Sequence, residues 1–586
     1  MNTIESNVYD VAIVGLGPTG LTLAHSLGQR GHRVLVLERE PKFYGNARAV
    51  YTDGECMRIF QAVGMADRLA ADMLQDAPVQ MVLPNGEVLL QIKSAERPHG
   101  WPMSNFFYQP LLETALAEGL SRFSNVTVLR GREVTRFEQD STGVDVFHVA
   151  SDGSGYLRAA PQLGVKPAPT DGEQRVRARY LVAADGGRSG VRSQLVIGMV
   201  GKSFPNPWLV VDIKAKDPAD GLHHLPYFNF VCDPACPTVS CVQPNGHHRF
   251  EFMLMPGQTR EEIEHPDTVR RLLSKYIDVT KFEILRKLVY TFNALMADRW
   301  REGRVLLAGD AAHMTPQFIG QGMNAGVRDA HNLAWKLDAV LRGQAGEALL
   351  DSYQAERAPH AAAMIREAIR MKDFVSMVNP AGTVLRNLLT RVVTRLPKIG
   401  RYVQQADFIP KPVYVPGYFG LPRRRRSAAE GRLMPQPTVR GPDGRNTRFD
   451  DLLQPGFVLV GAGCDPRESL DDNSRELWRS LGASYVAFYP FGGRPQGAVP
   501  RAVPEGLIEV EDPHGSFQRW LRANGAGRGS VAIVRPDRFV FALVPGHELP
   551  HATREVARQM HRDAARPVPA AGEAADAVPA LWARAA

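Results

Sequence analysis

The chain has 586 residues and a mass of 64.6 kDa, with 44% hydrophobic and 23% charged residues. This length exceeds what one hydrophobic core supports, so two or three globular domains are expected, and the balanced composition excludes a disordered chain. The formal charge of +8 raises the question of nucleic acid, but the dense basic run is confined to residues 423–426. We interpret this run as a solvated linker and not as a polyanion site, so no nucleic-acid partner is expected.

Cysteine usage and the termini indicate the compartment. Five cysteines scattered over the chain do not form a disulfide framework and fit a reducing cytoplasm. Cys232, Cys236 and Cys241 lie near histidines, but their spacing is not the paired C-x2-C of a closed zinc site, so buried thiols and no metal are predicted. The N-terminus has no signal-peptide pattern, and no apolar run reaches the ~18 residues of a membrane span. We expect a cytoplasmic protein without a membrane partner.

The first predicted strand ends in a Gly-x-Gly-x-x-Gly motif that opens a helix, and the next strand ends at Glu38. Gly15 permits a tight turn, Gly17 lets the backbone approach a pyrophosphate, and Gly20 permits close helix packing. A carboxylate at Glu38 can accept ribose hydroxyls. This β-α-β unit predicts a dinucleotide site, but it does not distinguish FAD from NAD.

Thr52 and Glu55 have the spacing of a capping box, which predicts a helix ending near Gly64. The elements that follow are less sharply bounded. They are a helix within 102–119, strands over 124–149, a buried strand over 179–187 and short β-like runs over 208–255.

Two later segments favour FAD. Asp185-Gly186-Gly187 and Gly309-Asp310 each follow a predicted buried strand, and a glycine-rich loop from Gly320 to Asn324 precedes a long helix. Segments so far apart that converge on one cofactor suit a long flavin dinucleotide better than a simple nicotinamide domain. Helical patterns continue to about residue 405. After a Pro- and Arg-rich stretch at 410–437, strands separated by helical segments predict a small α/β domain.

Together these segments resemble the single-component FAD-dependent aromatic hydroxylases of the para-hydroxybenzoate hydroxylase class, and within it the 3-(3-hydroxyphenyl)propionate hydroxylases, along nearly the whole chain. The class implies an α/β fold: a Rossmann-like FAD-binding domain of the glutathione-reductase type, an interleaved β-rich substrate domain and a C-terminal thioredoxin-like domain, here without a C-x-x-C pair. The resemblance is carried by Arg48-Ala49-Val50, Asp53, Glu55, Asn206-Pro207-Trp208 and Gly320-Gln321-Gly322, and by the stretches 249–253 and 304–313.

Pattern and resemblance together predict the domain boundaries. The FAD-binding domain comprises 1–75, 100–200 and 300–350, and the substrate domain comprises 76–99 and 201–299. A helical linker region at 351–425, the thioredoxin-like domain at 426–566 and a mobile tail at 567–586 follow.

The resemblance also implies which residues bind FAD. Asp310 would hold the ribityl chain, the Asp185 segment would serve the pyrophosphate, and Arg48 and Gln109 would contact the cofactor. At the start of the long helix, N–H groups and the dipole would stabilise negative charge on the reduced flavin. A surface ion pair for Arg48 and an ordinary helix cap for the loop remain alternatives. The further cofactor candidates are Gly309, Gly320, Gly322, Met323 and Asn324.

The class implies that NADH or NADPH reduces FAD, that O2 adds at the flavin C4a position, and that the resulting hydroperoxide hydroxylates a phenolic ring. The expected reaction converts 3-(3-hydroxyphenyl)propionate to 3-(2,3-dihydroxyphenyl)propionate in aromatic catabolism, and a homodimer is expected. Alternatives are a hydroxylase of another phenol or polycyclic aromatic compound, an NAD(P)H-linked flavin oxidase or reductase, and a non-catalytic flavin-binding sensor.

On the substrate side, Pro316 would shape a dry pocket and Asp53 would withdraw the phenol proton, with Tyr51 facing the phenol. The helix dipole alone also explains Asp53. Gly54 and Tyr51 depart from the class pattern, as does the lack of a tryptophan over 314–319. Arg249 would bind a substrate carboxylate or form a strand-surface salt bridge with Glu251.

Overall fold

A computed structural model of the protein describes residues 8–42, 49–153, 162–165, 168–222, 224–414, 427–495 and 506–560. Arg48, the basic run at 423–426 and the tail at 567–586 lie outside these described residues.

The N-terminal elements, in chain order, are β1 (Val8–Val14), α1 (Pro18–Gly28), β2 (Val34–Glu38), β3 (Tyr51–Thr52), α2 (Gly54–Ala62), α3 (Ala66–Ala70), β4 (Leu74–Gln75), β5 (Val79–Val82), β6 (Val88–Ile92), β7 (Asn105–Phe106), α4 (Gln109–Gly119), β8 (Val126–Arg130), β9 (Arg132–Gln139), β10 (Val144–Ala150), β11 (Gln174–Ala183) and α5 (Gly190–Gln194).

The central elements are β12 (Met199–Ser203), β13 (Trp208–Ala215), β14 (Phe228–Val231), β15 (Thr238–Val242), β16 (His247–Met253), α6 (Arg260–Glu264), α7 (Pro266–Leu273), β17 (Phe282–Tyr290), β18 (Asn293–Ala297), β19 (Arg301–Glu302), β20 (Val305–Leu307), β21 (His313–Met314), α8 (Gly322–Leu341), α9 (Ser352–Val375), α10 (Pro380–Arg395) and α11 (Pro397–Gln404).

The C-terminal elements are β22 (Thr438–Arg440), β23 (Asn446–Arg448), β24 (Val458–Ala462), α12 (Asp472–Ser480), β25 (Ser484–Pro490), β26 (Leu507–Asp512), α13 (Ser516–Ala523), β27 (Ser530–Val534), β28 (Val540–Pro545) and α14 (Leu549–Met560).

The first sheet contains the parallel strands β20, β11, β1, β2 and β8 in that spatial order, with β19 at one edge and β9 and β10 attached to β11. Its central strands are apolar and buried because helices such as α1 and α8 cover the sheet. Parallel strands end at the same edge. The loops that follow β1, β11 and β20 therefore meet at one place, the expected position of a dinucleotide.

The second sheet has the order β17-β13-β16-β15-β14-β5-β6 and is antiparallel except for the β14–β5 pair. One face carries Phe250 and Phe252 into a core that α6 and α7 complete. Because side chains alternate along a strand, Arg249 and Glu251 of β16 point to the other face. That face lines a cavity described below. Cys232, Cys236 and Cys241 are buried thiols in this region, as predicted.

Two local predictions are wrong. The helix at Thr52 does not begin with a capping box: Asp53 is its N-cap and accepts a hydrogen bond from the backbone N–H of Cys56 at 2.9 Å. Glu55 instead pairs with Arg328 at 2.9 Å. Helix α9, assigned to a linker region, belongs to the main core, because Tyr353 and other apolar residues of α9 are buried there.

The C-terminal domain is an α/β unit with the sheet order β23-β22-β26-β25-β24-β27-β28. Buried ion pairs fix it to the rest of the chain: Arg535 contacts Glu356 of α9 at 2.7 Å, and Arg58 of α2 contacts Asp450 at 2.8 Å. Removing one partner of such a pair is costly, so these pairs stabilise the contact between the C-terminal domain and the rest of the chain. No helix of the described part of the chain is both long and apolar enough to cross a bilayer.

Candidate active site

A cavity of about 1480 Å³ joins the carboxyl edge of the first sheet, the open face of the second sheet and the C-terminal domain. Pockets for one drug-sized ligand have roughly 300–1,000 Å³, so this cavity is large enough for an extended dinucleotide and a second, smaller molecule. The C-terminal domain contributes Arg432, Leu433, Pro435, Trp520 and Asn524 to its wall.

The glycines after β1 form one end of the cavity. Gly15 has φ +103°, and a Cβ there would meet the carbonyl oxygen of Ala184 at 2.4 Å. A Cβ on Gly20 would meet the carbonyl oxygen of Gly15 at 2.1 Å, so Gly20 lets α1 pack on the turn without lining the cavity itself. A Cβ on Gly17 would meet nothing within 4 Å. Gly17 therefore leaves open space beside the N-terminus of α1, where a pyrophosphate can approach.

Glu38 ends β2 beside this turn and lines the cavity. Its carboxylate accepts hydrogen bonds from the backbone N–H groups of Leu16 at 2.8 Å and Glu40 at 2.9 Å. These bonds fix the carboxylate against the glycine turn. Each oxygen keeps a lone pair that can accept a ribose hydroxyl.

Asp185 follows β11 on the same edge of the sheet. Its Oδ2 accepts a long bond from the backbone N–H of Val191 at 3.4 Å, and its buried Oδ1 has no hydrogen-bond partner among the described residues. Burial raises the pKa of this carboxyl group. Because a buried oxygen without a donor is destabilising, Asp185 fits a site whose missing donor is a ligand hydroxyl or N–H group.

Asp310 lines the cavity at the end of β20, and the residue before it fixes its position. Gly309 has φ +62°, and its N–H donates to Asp329 Oδ2 at 3.0 Å. Asp329 also accepts from His313 at 2.7 Å and Arg357 at 2.8 Å. Although burial opposes ionisation, His313 and Arg357 lower the pKa of Asp329 to about 2. A permanently ionised side chain of α8 thus anchors the Gly309-Asp310 turn, and sequence reasoning missed it.

The loop before α8 brings the helix N-terminus to the cavity. Gly320 is left-handed at φ +63°, and a Cβ there would meet the Tyr51 ring at 2.7 Å. Gly320, Gly322 and Met323 line the cavity, so the unpaired N–H groups and positive dipole end of a 20-residue helix are next to it. These features fit the electron-rich edge of a flavin.

Asn324 does not fit its predicted role as a cofactor contact, because its side chain is absent from the cavity wall. Its Oδ1 accepts from the Thr52 hydroxyl at 2.8 Å, and its Nδ2 donates to the carbonyl oxygen of Gly320 at 2.8 Å. Asn324 holds strand β3 against the loop, so its side chain has a positioning role.

Gln109 lines the cavity and also positions a neighbouring segment, whereas Pro316 is not part of the cavity wall. The Gln109 amide lines the cavity, accepts from the Ala49 N–H at 2.6 Å and donates to Glu113 at 2.6 Å, which fixes the segment that follows Arg48. Pro316 is buried behind the cavity wall; its neighbours Thr315 and Gln317 form the wall itself. Pro316 can shape the wall only indirectly.

Asp53 lies in the cavity wall, but its carboxylate is already engaged. Oδ2 accepts from Arg328 at 2.6 Å and from Gln321 at 3.1 Å, while Oδ1 caps α2. Burial opposes ionisation, yet Arg328 and the cap lower the pKa of Asp53 to about 2. A carboxylate that holds a proton so weakly is a poor base near neutral pH. The structure therefore argues against the predicted role of Asp53 as the phenol base.

Tyr51 begins an aromatic wall. Its hydroxyl donates to the carbonyl oxygen of Met103 at 2.9 Å, and burial raises its pKa, so it stays neutral. The ring centroids of Tyr51 and Phe106 are 5.5 Å apart, those of Phe106 and Phe228 are 5.6 Å apart, and Phe228 lies 4.9 Å from Phe230. These neighbouring rings make an apolar wall that suits a small aromatic ring.

Arg249 is buried, and Asp212 is one of its partners. The distance from Arg249 Nε to Asp212 Oδ1 is 2.6 Å, and Arg286 contacts the other carboxylate oxygen at 2.8 Å. Both arginines line the cavity. The two guanidinium groups place positive charge at this end of the chamber, and a guanidinium group can bind a carboxylate.

Glu251, which the sequence offers only as an alternative salt-bridge partner of Arg249, is a carboxylate of the cavity wall. Its β-sheet neighbours are Val210 and Val239, and its Oε2 accepts a hydrogen bond from the side-chain amide of Gln317. Burial raises its pKa to about 7, although Arg249 opposes the shift. Arg249 and Glu251 are two residues apart on β16 and therefore lie on the same face of the sheet. This spacing can be seen in the sequence.

Comparison with known proteins agrees with this geometry. Residues 8–368 match the family model for an FAD binding domain, and residues 431–559 match that for an HcaD C-terminal domain. The 3-(3-hydroxy-phenyl)propionate/3-hydroxycinnamic acid hydroxylase of Comamonas testosteroni is 34% identical over 607 residues, which cover 96% of this chain and 98% of the relative. The protein of that name from Escherichia coli O81 (strain ED1a) is 37% identical over 533 residues, 91% of each chain.

Solved structures show the same fold. Aklavinone-11 hydroxylase with FAD and aklavinone has a TM-score of 0.72 at 24% identity, covering 95% of this chain and all of that chain (100%). The flavin-dependent monooxygenase PieE, in complex with FAD and substrate, has a TM-score of 0.71 at 22% identity and covers 94% of this chain and 100% of its own. At this level of identity, the likeness concerns the fold alone.

Proposed function

From the premise that this chain belongs to the FAD-dependent hydroxylase family and is a monooxygenase, we propose that it hydroxylates 3-(3-hydroxyphenyl)propionate or a close phenolic acid. The expected product is 3-(2,3-dihydroxyphenyl)propionate, with O2 and NADH or NADPH as co-substrates. The observation that supports this best is a continuous cavity that joins a dinucleotide cradle to an aromatic chamber with a cationic end.

We assign the cradle to FAD. The turn from Gly15 to Gly17 and the N-terminus of α1 would hold the pyrophosphate, and Glu38 would accept the ribose hydroxyls. Asp310 would accept hydrogen bonds from hydroxyls of the ribityl chain. The buried Oδ1 of Asp185 would accept a hydrogen bond from the cofactor. When bound, FAD would supply the hydride acceptor for the nicotinamide co-substrate and the oxygen activation that the hydroxylation needs.

In the chamber, the aromatic wall from Tyr51 to Phe230 would bind the substrate ring. The propionate carboxylate would lie towards Arg249 and Arg286, because both line the cavity and guanidinium groups bind carboxylates. This placement orients the phenol towards Glu251 and the loop that precedes α8. The wall also excludes water from the reacting atoms.

We assign the phenol proton to Glu251 in place of Asp53. A buried carboxylate with a pKa of about 7 can take up a proton and release it again near neutral pH. Gln317 fixes its orientation from the loop that also carries Pro316. Removal of the phenol proton makes the ring a better nucleophile.

We propose a thioredoxin-like fold for the C-terminal domain. In support, β24 and β25 are parallel, and β27 and β28 extend the sheet on the other side of β24 in antiparallel order. Cys464 stands alone in this domain, so a structural role is proposed and not disulfide exchange. A homodimer, a cytoplasmic location and a place in aromatic catabolism stay predictions.

A screen of phenolic acids tests the proposal. Each acid is added to the FAD-loaded protein, the rate of NADH or NADPH oxidation is measured, and the product is identified by mass. We expect 3-(3-hydroxyphenyl)propionate to accelerate oxidation and to yield a catechol. Peroxide without a hydroxylated product would favour a flavin oxidase or reductase, and FAD binding without stimulated oxidation would favour a sensor.

A further inference from the structure

Helix α10 buries polar side chains and exposes aliphatic ones. Its buried residues are Thr383 and Arg386, and the Arg386 guanidinium donates to the carbonyl oxygen of Phe374 at 2.9 Å. Its outward face is aliphatic, and the same face continues over α11. The exposed large side chains, 42% to 69% accessible, are Val384, Leu385, Leu388, Leu389, Val392, Leu396, Ile399 and Tyr402. Soluble chains rarely leave a contiguous apolar surface of this kind without a partner.

The charge around this face is mainly positive. Between Asp373 and Asp407 the sequence has no Asp or Glu and five cations, Arg386, Arg391, Arg395, Lys398 and Arg401. Glu87 pairs with Arg391 at 2.8 Å. No described carboxylate forms an ion pair with Arg395, Lys398 or Arg401, which are all exposed. The α10–α11 face therefore combines aliphatic side chains with at least three uncompensated positive charges.

We propose that the α10–α11 face docks on an anionic lipid surface. Aliphatic side chains can enter the headgroup region of a bilayer while Lys and Arg at the rim contact lipid phosphates. A second copy of the chain fits less well. The commonest dimer is twofold symmetric and places the same face against itself, so two surfaces without acidic residues would meet and no carboxylate would balance their cations.

The α10–α11 face leads directly into the cavity wall. The residues that follow α11, Gln405, Ala406 and Asp407, line the cavity. Docking through α10 and α11 thus brings the membrane close to one wall of the chamber. This contact is peripheral, and it departs from the expectation of no membrane partner that the sequence gives.

Sedimentation with vesicles tests the inference. The full-length FAD-loaded protein is mixed with vesicles of phosphatidylglycerol and phosphatidylcholine, or of phosphatidylcholine alone, at low and high salt. We expect binding to the anionic vesicles that weakens with salt. Each cation near the surface contributes roughly a fivefold gain in partitioning, so the triple variant R395Q/K398Q/R401Q should lose roughly a hundredfold.

Two double variants separate the apolar contribution from general effects. L388Q/L389Q should reduce vesicle binding by more than roughly tenfold. I284Q/L285Q, which changes exposed apolar residues on β17, should bind as the unaltered protein does. All of these positions are exposed, so FAD content should stay unchanged.

Three results would overturn the inference. One is no binding to either vesicle. The second is equal binding to both vesicles without a salt effect. The third is a solution mass of twice 64.6 kDa that L388Q/L389Q reduces to one chain, because a second copy would then cover the face.

Discussion

Two carboxylates in the wall of one cavity behave in opposite ways. At the junction of α2 and α8, Asp53 caps a helix and pairs with Arg328, and its pKa is lowered to about 2. On β16, Glu251 has apolar neighbours and the Gln317 amide, and its pKa is raised to about 7. The surroundings of Asp53 favour the ionised carboxylate, whereas those of Glu251 favour the neutral carboxylic acid. The comparison teaches that environment, and not residue type, decides which carboxylate serves structure and which can exchange protons.

The largest effect should come from Glu251→Gln, which keeps the shape but cannot take up a proton. We expect kcat to fall by roughly 100-fold to 10,000-fold, the usual contribution of a positioned base. In the unaltered enzyme, kcat/KM should rise with pH through about 7 as Glu251 ionises, and this limb should vanish in the variant. Steady-state kinetics from pH 5 to 9 measure both.

Asp53→Asn is the comparison variant for that experiment. Asparagine still caps a helix, so the variant should retain the pH limb near 7. If the limb vanished in Asp53→Asn and persisted in Glu251→Gln, the assignment of the base would be reversed.

The next effect concerns stability. Asp53→Ala removes the cap of α2 and one carboxylate beside the buried Arg328. Breaking a buried ion pair costs about 3–5 kcal/mol, so the free energy of unfolding should fall by that order. Urea unfolding measures it. A change below about 1 kcal/mol would show that Glu55 alone compensates Arg328.

The pH dependence of stability should differ between the two carboxylates. Glu251 has a folded pKa near 7, above its ordinary value of 4.5, so its contribution is fully present below pH 4.5 and is lost as pH rises through 7. The loss is about 3 kcal/mol and should be absent in Glu251→Gln. Asp53 has the opposite sign, because its contribution is present above pH 3.8 and is lost as pH falls towards 2. Urea unfolding at several pH values tests both signs.

The smallest effect should occur at the cofactor cradle. Gly17→Ala would introduce a methyl group into open space that the pyrophosphate needs, so FAD affinity should fall by roughly 5-fold to 150-fold, equivalent to about 1–3 kcal/mol, without loss of fold. Gly527→Ala, in an equally open position in the C-terminal domain, is the matched control and should bind FAD normally. Fluorescence titration gives both affinities. Equal affinities would place the pyrophosphate elsewhere.

The cradle could be predicted because its signals are local. Gly15, Gly17 and Glu38 follow one another within a β-α-β unit, and the Asp185 and Asp310 turns each follow an apolar strand. The chamber could not be predicted in the same way. Asp53 and Arg328 are far apart in sequence, so nothing near Asp53 shows that its proton affinity is low. Arg328 itself lies in a helix that also contains Asp329 and Lys336, so the sequence does not identify its partner.

Burial explains the remaining errors. In the sequence, Glu251 on a strand resembles a surface residue. In the structure, the second sheet closes one side of the cavity and Glu251 lines it. The Asn324 amide fits a cofactor contact until its hydrogen bonds to Thr52 and Gly320 are known. The sequence also predicts a helix at α10 without showing that its aliphatic face points outwards, because amphipathic periodicity gives the faces of a helix but not their partners.

The most direct test of the monooxygenase assignment is oxygen labelling. The FAD-loaded enzyme is supplied with 3-(3-hydroxyphenyl)propionate, a nicotinamide co-substrate and ¹⁸O2, and the product is analysed by mass spectrometry. We predict a dihydroxyphenylpropionate that carries one ¹⁸O atom, formed with one equivalent of NADH or NADPH. Consumption of the co-substrate with labelled hydrogen peroxide and no labelled catechol would contradict the assignment.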